Sequence, residues 1–289
     1  MDQTTPRLQS SDGSGDDITA IVARRLSVSR RGHPLEVVFW LVPLAASVLM
    51  PTSLPIINEV AILGLFALSL DLILGYAGIV SLGHAAFLGL GAYAAGIFAK
   101  HGAGDPLLGL AVAAFSSAVL GCATSFLVLR GSDLTRLMVT LGLALVLYEL
   151  ANNWSALTGG AGLQGMTMGR LLGVFEFDLF GRTSAAYSLA VLFVLLLAAR
   201  WITTPAFGLS LKAIRENPIG VAAIGVPVTR RLIAVYTLAA AYAGVAVGLL
   251  ARTTQFVSLD VLDFHRSADV LLVQILGGTG YLYGALVEP

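Results

Sequence analysis

One serine and one histidine stand inside a glycine-rich interruption of an apolar stretch, Gly75-Tyr-Ala-Gly-Ile-Val-Ser-Leu-Gly-His-Ala-Ala-Phe-Leu-Gly-Leu-Gly-Ala-Tyr93. Imidazole and hydroxyl groups in such surroundings can contact a polar solute, relay a proton, or bond a neighbouring helix. Irregular backbone in a lipid environment is tolerated where it faces protein or a water-filled path. Gly78, Ser81, Gly83, His84, Gly89 and Gly91 are therefore the candidates for a translocation surface. Other reactive types carry less. Asp260, Asp263, His265 and Asp269 resemble a metal cluster in spacing only, and no metal site is expected. Glu59, Asp71 and Glu149 fall in or near apolar runs without a matching set of basic residues, so bonding between helices is their simplest role. Cys122 has no second cysteine to pair with and reads as a small buried residue. No convincing nucleophile–base pair is present, so the chain is not expected to be an enzyme or to hold a cofactor. It also lacks a phosphate loop of the form G-x-x-x-x-G-K-[ST], so any ATP must be bound by another subunit.

The elements that position these residues follow from composition. The 289 residues are 57% hydrophobic and 12% charged, with a mean hydropathy of +0.86. A soluble domain carries about 25% charged residues. Half that amount cannot build a water-facing surface, so lipid is the solvent for most of the chain. The fold class expected is an all-α, polytopic transmembrane bundle. The balance of 17 basic and 17 acidic residues gives no reason to invoke nucleic acid.

Residues 1–35 are polar and then basic, with no signal-peptide pattern, and read as a largely disordered tail with a basic flank, able to lie on anionic lipid. The region 36–289 reads as the membrane domain. Apolar runs approaching the roughly 20 residues needed to cross a bilayer fall near 36–51, 56–76, 79–99, 107–129, 134–151, 184–201, 231–251 and 268–287. With the N-terminus inside, 12 of the 17 Lys and Arg residues lie on the inner side. The positive-inside rule thus places the 203–230 loop in the cytoplasm. Small residues recur every four positions at Ala113, Ser117, Gly121 and Ser125, and again at Ala240, Gly244 and Gly248. Such stripes let helix backbones approach closely.

Within the inner loop, Thr204-Pro205 and Asn217-Pro218 each pair an N-cap with a proline at the first helical position, and Gly225 with Pro227 supplies a stop. The second helix is about two turns, with Ile219, Ala222 and Ala223 on an apolar face shaped to dock into a partner's groove or to lie on the membrane. On the outer side, Asn153, Trp154, Thr158, Gly159 and Gly160 form a polar, glycine-rich exit that can shape a vestibule or receive a docking protein.

Taken in order, Gly75-Tyr-Ala-Gly with Ser81-Leu-Gly-His-Ala-Ala-Phe, Asn153-Trp154 with Leu157-Thr-Gly-Gly160, Phe207-Gly with Ala213-Ile-Arg-Glu-Asn217 and Gly225, and Leu276-Gly-Gly-Thr-Gly280 resemble the signature of LivM-type permeases of branched-chain amino acid ABC transporters. The similarity runs from about residue 56 to the C-terminus. It implies a bacterial inner-membrane importer for branched-chain amino acids or related small solutes. Its partners would be a homologous second permease subunit, cytoplasmic ATP-binding subunits and an extracytoplasmic solute-binding protein. Arg215, Glu216, Asn217, Ala222, Ala223 and Gly225 would then form the segment received by the ATPase. Many members of that family carry a glutamate where Ala222 stands, so one polar contact is expected to be missing. They also continue beyond the position of Pro289, so a truncated end is expected. The rival expectation is an ion-coupled secondary transporter using His84, Asp71 or Glu149.

Overall fold

Apolar segments long enough to cross lipid must satisfy their own backbone groups, and the helix does so within one segment. The computed structural model describes residues 54–101, 105–153, 163, 182–203 and 206–278, all within the unit Ala46–Pro289. Helix α1 covers Leu54–Asp71 and continues as a π-helical turn, Leu72–Tyr76. Then come α2 (Ala85–His101), α3 (Pro106–Val128), α4 (Asp133–Asn153) and α5 (Arg182–Thr203). The short α6 (Ala206–Glu216) and α7 (Pro218–Ala223) precede α8 (Val228–Thr254), a 3-10 turn at Leu259–Leu262, and α9 (Phe264–Gly277). Among the described residues five helices are long and apolar enough to cross a membrane: α1 with its π turn, α3, α4, α5 and α8. The chain is an all-α, multi-pass bundle.

Most of the expected runs coincide with these helices. The run at 36–51, the tail before it and the end of the 268–287 run lie outside the described residues. The run at 79–99 differs: its helix begins only at Ala85, and residues 78–84 are not helical. Hydropathy reports the solvent a segment prefers, and it is blind to whether the backbone is coiled.

Helix α8 is the hub, packed against α3, α2 and α1. Its small-residue stripe meets that of α3 head to tail. A Cβ on Gly121 would strike Ala240, one on Gly244 would strike the Ala113 carbonyl and Ser117, and Gly248 faces Ala113. Gly91 of α2 enters the same junction against Gly244 and Ser117, and the Ser117 hydroxyl donates to the Phe87 carbonyl at 2.7 Å. Lipid gives no hydrophobic drive between helices, so close backbone contact and such bonds hold the bundle together. Helix α5 lies against α1, where the Ser188 hydroxyl donates to Asn58 Oδ1 at 2.5 Å. Helix α4 is peripheral: only Thr140 and Ala144 are buried, while Leu134, Met138 and Val146 face outward.

The helix ends are capped as their sequences dictate. Asp105 accepts from the Leu107 amide at 3.1 Å with Pro106 at the first position. Asp263, one of the acids that resembled a metal ligand, accepts from the His265 amide at 3.3 Å and so starts α9. Contacts at the ends also sort by side. The Tyr187 hydroxyl reaches the Pro106 carbonyl, and Arg252 packs on Gly109 at one end; α6 meets the close of α1 at the other. This matches the alternation of spans expected from the sequence.

Candidate functional site

At the end of α1 the backbone departs from the helix. The Ile79 amide bonds back to the Ile73 carbonyl at 3.2 Å and the Gly78 amide to Leu74 at 3.1 Å. Gly78 turns with φ +69°, a conformation that suits glycine. The chain then runs back beside α1 as non-helical backbone, until the His84 ring meets Ser69. Ser69 lies seven residues before Tyr76, or roughly 10 Å along a helix axis. Helix α2 therefore starts inside the bundle.

A helix start buried in lipid would leave orphan amides. Here three of them have partners. The Ala85 amide donates to Ser267 Oγ of α9 at 2.7 Å. The Ala86 and Phe87 amides donate to the carbonyls of Gly83 and His84 at 3.0 and 3.1 Å. Ser267 itself is buried.

His84 is wholly buried, stacked on Phe66 at 5.3 Å and edge-on to Phe87 at 5.4 Å. Its Nε2 lies 2.8 Å from Ser69 Oγ. Because the Ser69 proton goes to the Phe66 carbonyl at 2.6 Å, the imidazole is the donor in this pair, which fixes the proton on Nε2. The ring thus holds a neighbouring helix, the plainer of the roles open to it from sequence. Ser81 is equally buried and lies beside the Tyr236 hydroxyl of α8. Tyr236 in turn meets Phe87 edge-on at 5.6 Å. An apolar crevice lined by Ile62, Leu63, Phe66, Leu88, Val247, Leu250, Val261 and Val270, with Arg266 among its walls, shares Phe66 with the histidine.

The candidate glycines split by environment. Gly83 meets the Thr140 carbonyl of α4, Gly89 meets Leu262, and Gly91 sits in the α2–α3–α8 junction. All three allow close approach of neighbouring elements. Gly78 faces the side chain of Arg215. Two contributors escaped sequence reasoning. Gln274 of α9, wholly buried, donates to Asp71 Oδ1 at 2.7 Å, and Ser267 caps α2. Asp71 does bond between helices. Glu149 accepts instead from Asn153 Nδ2 within α4 at 2.7 Å, and Glu59 is exposed.

The loop residues sit together at the end of the bundle where α1 closes. Asn217 caps α7 by accepting from the Gly220 amide at 2.9 Å, with Pro218 first in the helix. Gly225, at φ +84°, closes it: its amide donates to Ala222 at 3.0 Å and the Val226 amide to Val221 at 3.3 Å. That pair of bonds is a Schellman ending. Helix α7 buries Val221 and exposes Ile219, Ala222, Ala223 and Ile224. Glu216 is exposed too. Arg215 points the other way, donating to the Gly75 carbonyl at 2.6 Å. On the far side only Asn153 can be placed, exposed at the end of α4; Thr158, Gly159 and Gly160 lie outside the described residues.

Residues 53–288 match the family described as branched-chain amino acid transport system / permease component. Over 246 residues the chain is 28% identical to the high-affinity branched-chain amino acid transport system permease protein LivM of Salmonella typhimurium strain LT2. It is 27% identical to the protein of the same name from Escherichia coli strain K12. Each alignment covers 77% of this chain and 58% of the relative, so the chain spans little more than half the length of these curated relatives. No solved structure matches.

Proposed function

The chain belongs to the family of branched-chain amino acid transport permease components, and from that premise we propose that it is the membrane subunit of an ATP-driven importer of branched-chain amino acids or related small solutes. The observation that carries the coupling half of this reading is the α6–α7 loop. A six-residue helix is too short to be stable alone, yet it is capped at both ends and turns Ile219 and Ile224 outward, 82% and 78% exposed. Ordered apolar side chains outside the bundle, at one end of it, suit reception by another protein.

In this reading the N-terminus and the loop are cytoplasmic, and two ATP-binding subunits grip α7. A homologous permease pairs with this chain in the membrane. A solute-binding protein docks on the opposite face near Asn153 and the glycines that follow. Closure of the ATP-binding pair moves the loop, and the bundle exchanges between two packings around the interrupted segment. The permease makes and breaks no covalent bond; it supplies a two-state element whose balance ATP and solute shift. Ser81 and His84 stand beside the solute path, and the glycines let that path's walls pack.

The test is uptake of labelled leucine, isoleucine and valine in cells given a protonophore while ATP is kept high. Uptake that persists, and that needs the ATP-binding subunits, is the expected outcome. Collapse with the proton gradient would place the chain among ion-coupled transporters instead.

A further inference from the structure

We propose that Arg215 is a positioning residue that fastens the α6–α7 loop to the interrupted segment, so that displacement of the loop is delivered to Ser81 and His84; this rests on the coupling reading above. Three contacts carry it. Arg215 Nη1 donates to the Gly75 carbonyl at 2.6 Å. Its aliphatic stem lies on Gly78, where a Cβ would collide with Arg215 Cγ. One turn earlier on α6, Lys212 Nζ sits 4.9 Å from the centre of the Tyr76 ring.

The chemistry of this spot is specific. Gly75 belongs to the π-helical turn that closes α1, where carbonyls run out of intrahelical partners, and the Ile79 amide is committed to Ile73. A cation suits the negative end of a helix, and a charged donor there is stronger than a neutral one. Glycine at 78 serves twice, by turning at positive φ and by letting the arginine stem lie against the backbone. From that contact the chain needs three residues to reach Ser81 and six to reach His84. Helix α6 leads into α7 through the Asn217 cap, and its other face is anchored by buried Leu211 and Ile214. The loop and the segment are thus joined by a bonded strut with no slack residues between. Arg215 is a transmitter within the chain, whereas Ile219, Ala222, Ala223 and Ile224 face outward.

The experiment uses the full chain in lipid nanodiscs with Cys122→Ser, leaving Ser81→Cys as the one thiol, and reads its rate of reaction with N-ethylmaleimide. Loss of one charge-assisted bond in Arg215→Ala should speed labelling about tenfold. Arg215→Lys keeps the stem, the charge and one donor, so it should restore the rate to within about twofold. Gly78→Ala, which crowds the stem while leaving the arginine, should also speed labelling. A rate unchanged in Arg215→Ala would overturn the proposal, as would equal acceleration in the lysine variant. Comparable acceleration at Ala144→Cys, a buried position on α4, would show general loosening and overturn it too. None of these rates requires an ATP-binding subunit. If the strut holds but no such subunit binds the loop, the coupling reading fails separately. In the assembled transporter, Arg215→Ala should leave ATP hydrolysis in place while uptake falls at least about tenfold.

Discussion

A side chain on Gly244 would meet the Ala113 carbonyl and Ser117, at the junction where Gly91 packs against the Gly244 backbone. Gly244→Val should therefore cost about 1–3 kcal/mol through overpacking at a three-helix contact. Gly142 offers the contrast: nothing lies within 4 Å of where its Cβ would be, and alanine there gains up to about 1 kcal/mol of helix preference. Thermal unfolding of both variants in detergent should give a drop for the first and no loss for the second. The Gly244 contact was legible in the sequence because both stripes repeat every four residues. The partner of Asp71 was not, since Gln274 lies 203 positions away and carries no local signal. Gln274→Leu removes a donor to a buried carboxylate and should lower stability by about 1–2 kcal/mol. A loss below a few tenths, read in the same unfolding assay, would show that other contacts satisfy Asp71. At His84 the residue type was legible as important, while its role as a buried donor to Ser69 emerged only from the packing.

Among the elements, the α6–α7 loop was the most legible, because caps and stops are local signals. Asn217-Pro218 starts α7 and Gly225 ends it where the residue types said they would. Helix α2 was the least legible. Its late start depends on a positive φ at Gly78 and on a cap from Ser267, 182 positions from Ala85, which no window of hydropathy contains. Gly225 gives a clean test of the loop, since a Cβ there meets nothing within 4 Å. Gly225→Val therefore acts through the backbone alone, at about 1–2 kcal/mol for a β-branched residue at positive φ. The expected result in the reconstituted transporter is impaired coupling, with solute-stimulated ATP hydrolysis reduced severalfold and docking of the binding protein retained. Full stimulation in that variant would remove the Schellman ending from the coupling account.

For the whole molecule, the decisive inference is vertical order. Tyr187, Pro106, Gly109 and Arg252 gather at one end, and Gly75, Tyr76, Lys212 and Arg215 at the other. Alternating spans require that sorting, and the proposed function puts the second end, which the unequal distribution of Lys and Arg favours, in the cytoplasm. An ATP-binding partner can reach the loop only if that assignment holds. The direct test is labelling of Ile224→Cys, on a Cys122→Ser background, with a membrane-impermeant maleimide. Ile224 is 78% exposed in the chain itself, so in cells that express this chain without ATP-binding subunits access is limited by sidedness. The account predicts labelling in inside-out vesicles and none in intact cells; reaction of that thiol from outside intact cells would contradict it.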